Sequence, residues 1–315
     1  MLVCLTHINV LNGVNVSKYV ALIINNGGEG ITIFFVISGF IIPYSLYVKN
    51  YRLDGFWRFL WKRSIRIDPP YWATIVLTIF VMYIPFNLKS LVLNMAYLVP
   101  FFKGVSWYNH IFWTLSIEFQ FYLLLGIFYP LLMRFNPYLT IACLLSAGIL
   151  CIALNVNMDG IIFTYLYDFV IGIILFLGYI GKISRRNLLF ILLAFSVYLM
   201  IGVSFKSGLI PLATSLFILF YKNNKPIPGL TFVGNISYSL YLTHIAVCYM
   251  VSRLLHKLIP DNNWLFICTF FSCILFAYVF YLLVERPSLR ISKTIKLSGS
   301  NAPAAALVPG AASDQ

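Results

Sequence analysis

Nine apolar runs, at 28–48, 67–85, 107–133, 138–155, 161–180, 188–204, 208–221, 233–252 and 264–284, recur along the 315 residues. A helix needs about 20 apolar residues to cross a bilayer. In hydrocarbon every backbone amide must pair within its own element, so helices are the natural spanning form for such runs. A tenth run, Leu2 to Leu11, is about half the required length. The expected fold is therefore an all-α, polytopic membrane helix bundle of about ten transmembrane helices, the first apparently truncated. Composition agrees: 61% of residues are hydrophobic and only 10% charged, where soluble domains carry about a quarter. Mean hydropathy is +0.90.

The net charge of +13 then asks how basic residues divide across a membrane, rather than pointing to nucleic acid. If the loop after 28–48 is cytoplasmic, that side collects 16 of the 22 Lys and Arg and the other side 6. The smaller set is Lys18, Lys89, Lys103, Lys206, Arg253 and Lys257; Lys222 counts with the larger. This bias places both termini in the cytoplasm and describes a multi-pass protein. No cleavable leader is expected, because MLVCLTHINVL lacks a basic n-region and a small-residue cleavage site. Residues 1–297 read as one membrane domain. Residues 298–315, SGSNAPAAALVPGAASDQ, are expected to be a disordered tail, an expression-vector origin being left open. Six cysteines all fall inside apolar runs, with no CxxC pair and no metal-like spacing to His. They read as small buried packers, with no disulfide frame and no metal site.

The stretch FWRFLWKRSIRIDPPYW, Phe56 to Trp72, crowds Arg58, Lys62, Arg63 and Arg66 among aromatic residues. Four- and three-residue spacings put these cations on shared helix faces. One reading is an interfacial helix held to anionic lipid. The other is that Arg63 and Arg66 grip phosphates as guanidinium forks do. Asp68 followed by Pro69 and Pro70 resembles an N-cap with a helix-starting proline, so the next span is expected to begin there.

Titratable groups in hydrocarbon are costly and tend to be functional. His7 lies in the opening run and suits a general base, or is simply a hydrogen-bonded core histidine. Glu118, in WTLSIEFQFY, lies about 16 Å along the span from Trp107, near the midplane, either protonated and structural or orienting a catalytic group. Asp168 poses the same question in FTYLYDFVIG. In GGEGITIFFVISGFII, Ser38 and Gly39 place two small residues mid-span, for close packing or for a narrow passage for a slim ligand arm. In GNISYSLYLTH, Ser237, Tyr241 and His244 share a helix face. Glu285-Arg286-Pro287 reads as an ion pair and helix stop. His110 and His256, near outer ends of spans, need no special role.

Taken together and in order, GGEGITIFFVISGF, KRSIRIDPPYW, WTLSIEFQFYLL, ISYSLYLTH and the late ERP resemble the integral-membrane acyltransferase-3 family, over roughly residues 5–287. The resemblance implies ten membrane helices in a bacterial cytoplasmic membrane. It also implies transfer of an acyl group, often acetyl from acetyl-CoA, to carbohydrate of the cell envelope. By position, His7 matches the essential first-helix histidine, and Arg63 and Arg66 the paired donor-handling arginines. Ser38-Gly39-Phe40 matches the second-helix signature, Trp113 and Glu118 the fourth-helix pair, and Tyr238 and His244 the late helix. The implied scheme puts donor phosphates on Arg63, Arg66 and Lys62, with an acyl-pantetheine arm beside Ser38 and Gly39. His7, oriented by a polar neighbour such as Glu118, acts as base or acyl carrier. Trp113, Tyr238, His244 and Asp168 support it. Acetyl-CoA is then a substrate, with no permanently bound cofactor, and the partners are a glycan or lipid-linked sugar and membrane lipids.

Three departures stand out. The family usually carries an arginine eleven residues before the histidine, and only six residues precede His7. With the short first run this is expected to mark an N-terminal truncation, so an inactive truncated homologue is one alternative. Thr32 and Phe119 stand where the family favours acidic, or Glu and Trp, residues. A transporter of a lipid-linked glycan is the rival class. It fits the buried titratable groups, but no internal repeat of the transporter kind is visible.

Overall fold

A computed structural model describes residues 1–12, 24, 26–156, 158–221, 225–255, 257–259 and 261–296. Lys18, Lys222, His256 and the tail 298–315 lie outside the described residues. Within them the chain is helical, with no strand. The helices are α1 (Leu2–Asn12), α2 (Glu29–Val48), α3 (Phe56–Met82), α4 (Leu88–Met95), α5 (Trp113–Arg134) and α6 (Pro137–Ala153). They continue with α7 (Leu166–Tyr179), α8 (Arg185–Gly202), α9 (Phe205–Phe220), α10 (Pro228–Leu255), α11 (Asn262–Phe280) and α12 (Arg286–Thr294).

Six helical stretches among the described residues are long and apolar enough to cross a membrane: Glu29–Val48, Leu53–Met82, His110–Arg134, Ile162–Tyr179, Arg185–Gly202 and Asn262–Thr294. Leu2–Leu11, Pro137–Ala153 and Phe205–Phe220 are apolar but shorter. At 28 residues, α10 is long enough, yet Ser237, Tyr238, Ser239, Tyr241, Thr243 and His244 cluster in its middle and lower its hydropathy.

The tightest joint is between α2 and α7. A Cβ on Gly39 would meet the Phe169 carbonyl oxygen at 2.5 Å, and one on Gly172 the Val36 carbonyl oxygen at 2.3 Å. Two glycines thus bring the backbones into contact, as small residues do between membrane helices. Phe35, Val36, Phe169, Val170 and Ile171 are buried around this joint.

The span expected to start at Asp68 does not. The 27 residues of α3 run unbroken through Pro69 and Pro70, some 40 Å at 1.5 Å per residue. The arginines therefore ride within a long crossing helix and not on a separate surface helix. Adjacent prolines remove two amide donors, those that would meet the Ile65 and Arg66 carbonyls, a loss that membrane helices tolerate; the next carbonyl along has a partner on another helix. The Tyr238 hydroxyl donates to the Ile67 carbonyl at 3.0 Å. Asp68 caps nothing: its carboxylate accepts from Ser64 and, at 2.9 Å, from the Tyr97 hydroxyl.

Two further expectations are corrected. α5 begins at Trp113, after a 3-10 turn at His110–Phe112, so Glu118 lies about 8 Å from the helix start, where a helix beginning at Trp107 gave about 16 Å. Cys143, on α6, is exposed, and Cys151 and Cys268 are only partly covered, so half of the cysteines are not core packers.

Between α3 and α5 the chain forms a fixed cap. Asn94 is fully buried and donates to the carbonyls of Ser90 at 2.9 Å and Ser106 at 3.2 Å. Its side-chain oxygen accepts from the Tyr108 amide at 3.0 Å, and its carbonyl from the Tyr71 hydroxyl at 2.7 Å. Tyr97 adopts the left-handed region, φ 61°, a strained setting for an aromatic residue. Its ring stacks between Tyr71 and Phe119.

Candidate active site

A cavity of about 570 Å³ opens among α1, α2, α3, α5 and α10. Ser38, Arg63, Arg66, Glu118, Tyr122, Tyr238 and His244 line it, with Ile33, Phe34, Ile37 and Ile41 forming an apolar wall. Side chains from four distant stretches of sequence thus share one space.

Between α3 and α5, Arg63 is pinned. Its guanidinium donates to the Ser45 hydroxyl at 3.1 Å and lies over the rings of Phe59 and Tyr122, 5.7 and 5.2 Å from their centroids. The Tyr122 hydroxyl donates to the Glu118 carboxylate. Tyr122 is four residues from Glu118, a spacing that pairs side chains on a helix. Arg66 differs from Arg63. It faces the cavity, and among the described residues its guanidinium has no hydrogen bond and no ion pair. A cation with five donors and no acceptor is a ready site for an anion. Below this pair, Lys49 is held under the usual lysine range, first by burial and then by the charge of Arg63.

Between α1 and α10 two imidazoles meet. His7 Nδ1 and His244 Nε2 are 2.9 Å apart, with rings stacked at 5.1 Å. His244 Nδ1 faces the carbonyls of Leu240 at 3.1 Å and Tyr241 at 2.7 Å. Carbonyls only accept, so Nδ1 of His244 carries the proton and its Nε2 accepts. For neutral rings His7 Nδ1 is then the donor, which leaves the lone pair of His7 on Nε2. The Tyr241 hydroxyl is 2.6 Å from that of Thr114 and donates to the Ile111 carbonyl at 3.0 Å, fixing α10 beside the cap.

Several expected residues stand elsewhere. Lys62 Nζ donates to the carbonyls of Ser292 and Ile295, both at 2.7 Å. It closes the C-terminal end of α12, where a cation is favoured, and is not on the cavity wall. Gly39 faces α7, the packing reading, while its neighbour Ser38 faces the cavity. His7 is behind His244, off the wall, and its polar partner is His244 where Glu118 was expected. Trp113 stacks on Tyr165 at 5.1 Å and holds α5 to the turn before α7. Asp168 is fully buried in the first turn of α7, off the cavity, and its carboxylate has no hydrogen-bond partner among the described residues. Glu285 makes no ion pair with Arg286; it accepts from the amide of Ser239 at 3.1 Å and from its hydroxyl. Sequence reading missed Tyr122, Ser45 and Thr114. Only Tyr122 carried a local signal, its spacing from Glu118.

Apolar crossing helices around a polar interior define a multi-pass membrane protein. The acyltransferase-domain model of the acyltransferase-3 family matches residues 1–282, and the chain belongs to that family. It is accordingly a membrane acyltransferase. No curated protein and no solved structure matches it significantly.

Proposed function

We propose that the protein transfers acetyl from cytoplasmic acetyl-CoA to a hydroxyl of a cell-surface or lipid-linked polysaccharide, in a bacterial cytoplasmic membrane with both termini inside. The observation that carries this reading is the unpartnered Arg66 facing the same cavity as the His244 that holds His7. Tyr238 touches the carbonyl next to Arg66, and His244 is six residues further along α10, about 9 Å. Side chains on a helix lean toward its N-terminus, so the Arg66 guanidinium lies several ångströms nearer the inner face than its Cα. A phosphopantetheine arm is about as long as four extended residues, ~14 Å. With its phosphates on Arg66, and Arg63 adding charge, the arm brings the thioester to the level of the histidines.

In the transfer, the acceptor approaches the half-buried His7 from the side away from His244; its oxygen attacks the thioester carbonyl while its proton passes to His7 Nε2. The carbon–sulfur bond breaks, the ester forms, and the departing thiolate takes the proton from the imidazolium. His244 holds His7 in the required tautomer. The Tyr122–Glu118 pair and Tyr238 shape the inner wall around the donor.

The test is transfer of label from acetyl-CoA to glycan in membranes containing the protein. Full transfer by His7→Gln, or an unchanged donor KM in Arg66→Ala, removes these roles. Absence of label in any acceptor from the unaltered protein removes the acetyl-CoA reading itself.

A further inference from the structure

The last crossing helix leaves α-geometry once, in a π turn at Tyr281–Glu285. In an unbroken helix Val284, seven residues after the buried Ala277, would take the inward place. The extra residue of the π turn gives that place to Glu285, after which Ser288 and Ser292 resume the buried face. Single π turns are often found at functional sites. Here the turn drives a carboxylate, only 5% exposed, against the middle of α10. One oxygen of Glu285 accepts both the amide and the hydroxyl of Ser239. The adjacent Tyr238 is bonded to Ile67, next to Arg66, and Arg66 is close enough to act on Glu285 electrostatically.

We propose that Glu285 is a positioning residue for the donor site. Through Ser239 it holds α10 in register with α3, and so holds Arg66 and Tyr238 where the donor's phosphates must dock. This inference rests on the acetyl-CoA reading above and assigns to that site a residue off the cavity wall. What matters is the reach of the side chain and its acceptor oxygen. Glu285→Gln keeps both and loses the charge, while Glu285→Asp keeps the charge and falls one methylene short.

Glu285→Asp is expected to raise the KM for acetyl-CoA about tenfold with kcat within about threefold, and Glu285→Gln to stay within about threefold on both. An unmoved KM in Glu285→Asp overturns the proposal, as does a Glu285→Gln shift as large as that of Glu285→Asp. A fall in kcat that only tracks lost thermal stability also overturns it. If Glu285→Asp does not fold, Ser239→Ala, which removes one of the two donors, is expected to raise the KM about threefold; no rise overturns the proposal. Coenzyme A affinity, measured on the same variants, must rank them in the same order. That ranking separates failure of the Glu285 role from failure of the transfer reading, which is judged on the unaltered protein.

Discussion

Lys62, Arg63 and Arg66 lie within five residues of sequence yet meet three different surroundings. Arg66→Ala is expected to raise the donor KM tenfold or more, the loss of a charge-assisted contact being worth about 1.5–3 kcal/mol. Lys62→Gln is expected to leave that KM in place and to lower stability by about 1 kcal/mol, since it frees two helix-end carbonyls; unfolding in detergent and donor kinetics separate the two cases. His7→Gln is expected to lower kcat by roughly 10²–10⁴, the range for loss of a general base, measured as initial rates at saturating donor. The cations were legible in the sequence as a cluster, but their division of labour was not. Lys62 finds its partners 230 and 233 residues away and His7 its partner 237 away, distances at which no local periodicity carries a signal. Glu118 with Tyr122 is the contrary case, since both sit on one helix face four residues apart.

Among the elements, the apolar runs located most helices to within a few residues, because hydropathy directly records what lipid demands. The Asp68-Pro69-Pro70 signal misled, because a proline pair leaves only two carbonyls of the preceding turn without their amides, a loss that a membrane helix packed among others tolerates. The cap between α3 and α5 was invisible for a different reason: its order comes from one buried amide, that of Asn94, and not from any pattern. Asn94→Ala is expected to cost several kcal/mol by leaving buried donors and acceptors unmet, read as an early loss of protection of the 87–112 segment in hydrogen exchange. Gly39→Ala drives a methyl into the Phe169 carbonyl. It is expected to destabilise the α2–α7 joint by about 1–3 kcal/mol, lowering the thermal midpoint while the intact fraction keeps its donor KM.

For the whole molecule, the charge bias predicts sidedness. A cysteine placed at Arg290 is expected to react with an impermeant maleimide only in inverted vesicles, and one at Lys103 only in right-side-out vesicles; the reverse pattern would invert the orientation. The imidazole pair also joins residues 237 apart in a chain of 315, linking α1 to α10. A nascent polypeptide still emerging from the ribosome therefore owns its arginines well before it owns the imidazole pair. Until the late helix enters the bilayer and seats against the first, the half-made protein has neither the imidazole pair nor the α10 contact beside Arg66.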